Sequence, residues 1–96
     1  MSMVMTILAA QVSGEKWPEM VSMYQEGGKH KPPQLVQGFL VQNSGDPTRW
    51  QTVCIWQSPE ALDEYRASGM PGGVQMFRSV GAEATEEEFG VAHQMI

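Results

Sequence analysis

Few side chains in this 96-residue sequence are of a type that carries chemistry. His93, near the end of the chain, has an imidazole whose ordinary pKa lies close to neutrality, which suits a general base. His30 stands in Lys29-His30-Lys31-Pro32-Pro33, where a solvated surface role is the default. Tyr65 falls on the apolar stripe of a helical segment, so its phenol can donate or accept a hydrogen bond at the edge of a core. Arg49 and Arg78 are cations able to hold an anion. Each also has a structural reading: a core tyrosine, a partly buried histidine, surface charges. The run Glu86-Glu87-Glu88 has no partner at metal-ligand spacing and reads as a solvated edge that discourages strand pairing. No Cys-x-x-Cys, His-x-x-x-His, phosphate-cradling loop or nucleophile elbow is present. Gly72-Gly73 follows Pro71 and no strand, so it reads as a hinge.

These residues need elements to position them. Val4 to Val12 is β-rich and apolar on both parities, the pattern of a strand buried on two faces. It lacks the positive flank of a signal peptide, the first lysine being Lys16. After Ser13-Gly14, Trp17, Met20, Val21 and Tyr24 recur at one helical face, with Pro18 in the first turn and Gly27-Gly28 at the end. Leu35–Asn43 and Arg49–Gln57 are two more strands, joined by a hairpin loop at Ser44-Gly45-Asp46-Pro47-Thr48. Ser58-Pro59-Glu60 opens a second helix with inner residues Ala61, Leu62 and Tyr65, and Gly69 stops it. Val74–Val80 is a further short helix. Ala84–Ile96 reads as a last strand, weak at its acidic start and better from Phe89 onward.

The order β-α-β-β-α-β predicts an α+β, ferredoxin-like split βαβ: an antiparallel sheet with helices on one face, in a single domain spanning 1–96. Strand 49–57 carries Val53 and Ile55 on one face and Trp50, Cys54 and Trp56 on the other. One helix layer covers only one of these. Leaving the other wet exposes large side chains worth about 1.5–3 kcal/mol each. A second copy packed sheet to sheet removes that cost, so the expected assembly is a homodimer.

Composition narrows the partners. With 42% hydrophobic residues and 18% charged, the chain is a globular protein, without an apolar run long enough to span a membrane. Residues 1–56 balance four acids against four bases, while 57–96 hold seven acids and two bases and carry the whole net charge of −5. That half repels a phosphate backbone, so nucleic acid is not an expected partner. The single cysteine, Cys54, forms no internal disulfide, which suits a reducing cytoplasm.

Gly38-Phe39 in the second strand, Ser44 with Asp46-Pro47 in the hairpin, and Trp56-x-Ser58-x-Glu60-Ala61-Leu62, followed by Tyr65 and Ser68, form a pattern. It resembles the antibiotic biosynthesis monooxygenase-like family of dimeric α+β barrels, over nearly the whole chain. Gly38-Phe39 also reads simply as close backbone approach beside an aromatic core residue, Ser58-Pro59-Glu60 as a cap, and Trp56 as core. The resemblance implies oxidation of quinol- or anthrone-like aromatic molecules by molecular oxygen, with no bound cofactor or metal. In that setting Tyr65, His93 and Trp56 are the catalytic candidates, and Phe39, Met70, Phe77 and Arg78 the substrate-binding ones. The alternatives are a non-catalytic homodimeric module that binds a small hydrophobic ligand, and a dimerisation unit with no ligand. Haem-degrading relatives use an asparagine in the first strand, a tryptophan in the second helix and a histidine after it. Here the first strand has no asparagine, Tyr65 stands near the tryptophan position, and Ser68–Phe77 contains no histidine.

Overall fold

A computed structural model describes residues 2–96. Strand β1 (Val4–Gln11) leads through a 3-10 turn (Gly14–Lys16) into helix α1 (Trp17–Gly28); strands β2 (Leu35–Gln42) and β3 (Arg49–Trp56) form a hairpin; helices α2 (Pro59–Ala67) and α3 (Gly72–Ser79) precede strand β4 (Thr85–Gly90). The sheet order is β2-β3-β1-β4, antiparallel throughout, so each α-crossover skips one strand, as the α+β, ferredoxin-like reading requires.

Local chemistry sets the boundaries. Ser58 caps α2, its Oγ accepting the Ala61 amide at 3.0 Å, with Pro59 in the first turn. The hairpin loop is tied by Asn43 Oδ1, which accepts the Gly45 and Asp46 amides at 2.8 Å, and by Asp46 Oδ1, which accepts from the Thr48 hydroxyl at 2.7 Å and the Thr48 amide at 3.1 Å. The Thr48 bonds hold the Asp46 carboxyl below its ordinary value.

The helices cover the sheet face that carries Val4, Thr6, Leu8 and Ala10 from β1 and Trp50, Thr52 and Trp56 from β3, all buried. Across the register, Met5, Ile7, Ala9, Val53 and Ile55 occupy the other face and are half-buried, while Phe39, Val41 and Phe89 beside them stay 44%, 39% and 43% exposed. The core is in two clusters. The larger is built on Leu8, Val12, Met20, Trp50, Met76 and Phe77, the smaller on Val4, Trp56 and Leu62.

Two sequence expectations are corrected. Gly72-Gly73 is no hinge: α3 begins at Gly72, and Gly73 is where this helix meets the sheet. A Cβ on Gly73 would lie 2.8 Å from Leu8 Cδ1 and 3.3 Å from Thr52 Oγ1. On helix propensity alone Gly→Ala gains up to about 1 kcal/mol. Gly73→Ala is expected instead to cost about 1–3 kcal/mol, read as a lower thermal midpoint. A raised midpoint would show that Leu8 swings aside freely.

The last strand is the second correction. β4 forms at its acidic start and stops at Gly90, whereas the apolar end, Ala92–Ile96, pairs with nothing among the described residues. The reason is register: Gly90 faces Val4, the first residue of β1, and only the Val91 amide reaches back to the Met3 carbonyl at 2.9 Å. Beyond that point β1 offers no ladder. Nor is the acidic run wholly a solvated edge, because Arg66 Nη2 pairs with Glu86 at 3.3 Å and Nη1 with Glu88 at 3.2 Å.

Candidate functional site

Between the two core clusters lies a cavity of about 350 Å³ on the helix-covered face of the sheet. Its floor is a patch of inward-facing strand positions: Thr6 and Leu8 of β1, Thr52, Cys54 and Trp56 of β3, and Leu35 and Gly38 of β2. Met23 and Tyr24 of α1 form one wall, and Leu62, Tyr65 and Met76 of α2 and α3 the other. Lys31, Arg66 and Glu86 are the charged residues on its boundary. Five glycines (Gly27, Gly28, Gly38, Gly72 and Gly73) border the space. Side chains there would fill it: a Cβ on Gly38 would come within 3.1 Å of the Tyr24 hydroxyl.

The polar groups around this apolar space are few, and most are already partnered. Trp56, 4% exposed, donates its Nε1 hydrogen to Thr6 Oγ1 at 2.9 Å. Its ring packs on Tyr65 at 4.7 Å between centroids, tilted by 35°. The Tyr65 oxygen accepts the Gly72 amide at 2.9 Å, so its own O–H is left to donate. Thr52 Oγ1 is buried without a hydrogen-bond partner, although Thr52 borders the cavity. Burial pushes the Cys54 thiol up, opposed by a hydrogen bond from Thr6 and reinforced by the charge of Glu86. Burial likewise raises Tyr24, with the neighbouring Cys54 adding to it. Among the described residues no three His, Cys, Asp or Glu side chains converge as a metal site, and no helix is long and apolar enough to cross a membrane.

Of the seven residues singled out in the sequence, the structure brings Trp56 and Tyr65 together at the cavity, one in its floor and one in its wall. The other five lie elsewhere. Phe39 points from the opposite face of the sheet, because its parity in β2 is that of Val41 and it pairs with Val53; it is not the core aromatic of this protomer. Phe77 is completely buried in the larger core cluster, behind the cavity wall. Met70, before α3, and Arg78, in its last turn, are exposed and do not line the cavity; the Arg78 guanidinium meets the Met70 sulfur at 3.7 Å. His93 is exposed beyond the end of β4 instead of lying within a strand. Sequence reasoning missed Thr6, Tyr24, Thr52, Cys54, Arg66 and Glu86. For three of these a signal existed: Thr6, Thr52 and Cys54 are small polar residues on the same parity as Leu8, Trp50 and Trp56, hence polar positions on an inward face.

No family model and no curated protein matches the chain by sequence. Solved structures do match by shape. SnoaB from Streptomyces nogalater, a cofactor-independent oxygenase, superposes with a TM-score of 0.71 at 17% identity, over 100% of this chain and 98% of that one. A Caulobacter crescentus protein that carries the name antibiotic biosynthesis monooxygenase gives 0.75 at 14% identity, over 96% and 92%. A conserved protein from Methanosarcina mazei gives 0.73 at 15% identity, over 93% and 92%. The chain therefore has the fold of the antibiotic biosynthesis monooxygenases.

Proposed function

We propose that the chain is a cofactor-independent monooxygenase acting on quinol- or anthrone-like aromatic small molecules, working as a cytoplasmic homodimer. The observation that carries this reading is the cavity: about 350 Å³, lined by Trp56, Tyr65, Leu62 and Met76, with few polar groups. The fold shared with SnoaB, itself a cofactor-independent oxygenase, supports the same chemistry. In such a reaction the substrate supplies the electrons. A weakly acidic C–H or O–H is deprotonated, the electron-rich anion reacts with oxygen, one oxygen atom enters the ring and the other leaves as water. The protein has to take the proton, hold the anion and exclude water.

In this reading the tilted Trp56–Tyr65 pair stacks on the flat ring, and the free Tyr65 O–H donates to the substrate oxygen as negative charge develops there. Glu86, held by Arg66 on the cavity boundary, is the carboxylate that takes the proton. A second reading, a module that binds a small hydrophobic ligand without turning it over, is favoured by one observation: neither His30 nor His93 lines the cavity.

Oxygen uptake by metal-stripped protein, over a panel of hydroquinones and anthrones, separates the two. Uptake above autoxidation is expected, and Tyr65→Phe should lower it at least several-fold, about one lost charge-assisted hydrogen bond. Unchanged uptake in Tyr65→Phe removes that residue from the mechanism. Binding of the panel without uptake transfers the cavity to the ligand-binding reading.

A further inference from the structure

The proposed oxidation does not use the thiol in the cavity floor. Cys54 is the only cysteine of the chain; it borders the cavity and is half-buried. Two residues away on β3 lies Thr52, 2% exposed, whose hydroxyl finds no partner in the protein. A buried donor left open is a cost that a ligand oxygen would relieve. Thr52 and Cys54 share the inward face, and alternate residues of a strand stand about 6.8 Å apart along it. A hydroxyl that can polarise a carbonyl and a nucleophilic sulfur at that spacing match the two ends of a conjugated enone.

We propose that Thr52 and Cys54 form a covalent capture site for quinone-class ligands: the Thr52 hydroxyl donates to the quinone carbonyl, and the Cys54 sulfur adds to the carbon β to it. The inference rests on the cavity being the ligand site, as in the reading above, and not on its oxygen chemistry. In the step, the thiol loses its proton and the S–C bond forms. The ring C=C pair shifts onto the carbonyl oxygen held by Thr52, and that oxygen takes a proton. The hydrogen at the attacked carbon then moves to the second oxygen. The product is a hydroquinone thioether, an isomer of thiol plus quinone, so no outside oxidant or reductant is consumed.

The surroundings favour selectivity over general reactivity. Burial holds the Cys54 thiol protonated at rest, which makes it sluggish toward electrophiles that nothing positions. A quinone anchored at Thr52 has its reactive carbon held against the sulfur and its carbonyl polarised. The gain comes from proximity and from a single hydrogen bond.

The test uses the full chain and 1,4-naphthoquinone in anoxic buffer, with adduct formation followed by intact mass and peptide mapping. One adduct on Cys54 is expected, and none in Cys54→Ser. Thr52→Val should slow naphthoquinone addition at least about tenfold while leaving alkylation by iodoacetamide within about twofold, because iodoacetamide needs no donor at Thr52. Thr52→Ser, which retains the hydroxyl, should restore the naphthoquinone rate. The Thr52→Val melting temperature should not fall, since the hydroxyl it loses is unpartnered. Absence of the adduct, an unchanged naphthoquinone rate in Thr52→Val, equal slowing of both reagents, or no rescue by serine overturns the proposal. The oxygenase reading stands or falls separately on oxygen uptake, which this experiment does not involve.

Discussion

Ile55→Lys is expected to turn a dimer into a monomer, with the wild type sedimenting at twice the chain mass at micromolar concentration. The argument lies in the face of the sheet that no helix covers. Met5, Ile7, Ala9, Val53 and Ile55 run along its two central strands, and Phe39, Val41 and Phe89 flank them at roughly 40% exposure. Burying even three of the larger side chains against a second copy gains several kcal/mol, at about 1.5–3 kcal/mol each. Two-fold pairing of like faces meets this need with a single surface. Ile55 sits on β3, an interior strand of the sheet, so a lysine there puts an unpaired ammonium inside the interface. In an isolated protomer the same change faces water and costs little. The expected signature is thus loss of association with a folded, cooperatively melting monomer left behind. Wild-type protein sedimenting at the mass of one chain would sink the two-sided burial argument altogether.

Why the fold was legible and the site only half so follows from the kind of signal each leaves. The strand parity of Val53 and Ile55 against Trp50 and Trp56, the serine cap at Ser58 and the glycine stop at Gly69 are local patterns, and they survive into the structure because tertiary packing agrees with them. Trp56 and Tyr65 were also legible, since each lies on the inner face of its element. What failed depended on long-range register. The stretch from Phe89 onward has the composition of a strand, but β1 offers no partner beyond Gly90, and no local rule counts the length of a distant partner. Phe77 and Phe39 are aromatic residues of helix and strand that sequence reasoning treats alike. Only the assembled layers put one behind the cavity and the other on the far side of the sheet. The cavity itself is a set of absences, five glycines from three parts of the chain, which no window of sequence brings side by side. The polar floor of Thr6, Thr52 and Cys54 was within reach, because small polar residues on an inward parity are costly unless something satisfies them.

Trp56 gives the sharpest separation of structural from catalytic roles. Trp56→Ala is expected to destabilise the protein by about 3–5 kcal/mol, since it removes the largest side chain of the smaller core cluster and merges its space with the cavity. A loss of that size approaches the whole stability of a small domain, so activity in this variant reports unfolding and nothing else. Trp56→Phe is the informative change. It keeps an aromatic plate against Tyr65 but deletes the Nε1 donor, leaving the Thr6 hydroxyl without its 2.9 Å bond. The cost is expected to be about 1–3 kcal/mol, read as a lower midpoint of a still cooperative melt. If Trp56 acts by stacking alone, oxygen uptake at temperatures below that midpoint should stay within about threefold of wild type, less than the loss of one charge-assisted hydrogen bond. A Trp56→Phe protein that is folded but inactive below its midpoint would instead make the indole N–H itself a participant in the reaction.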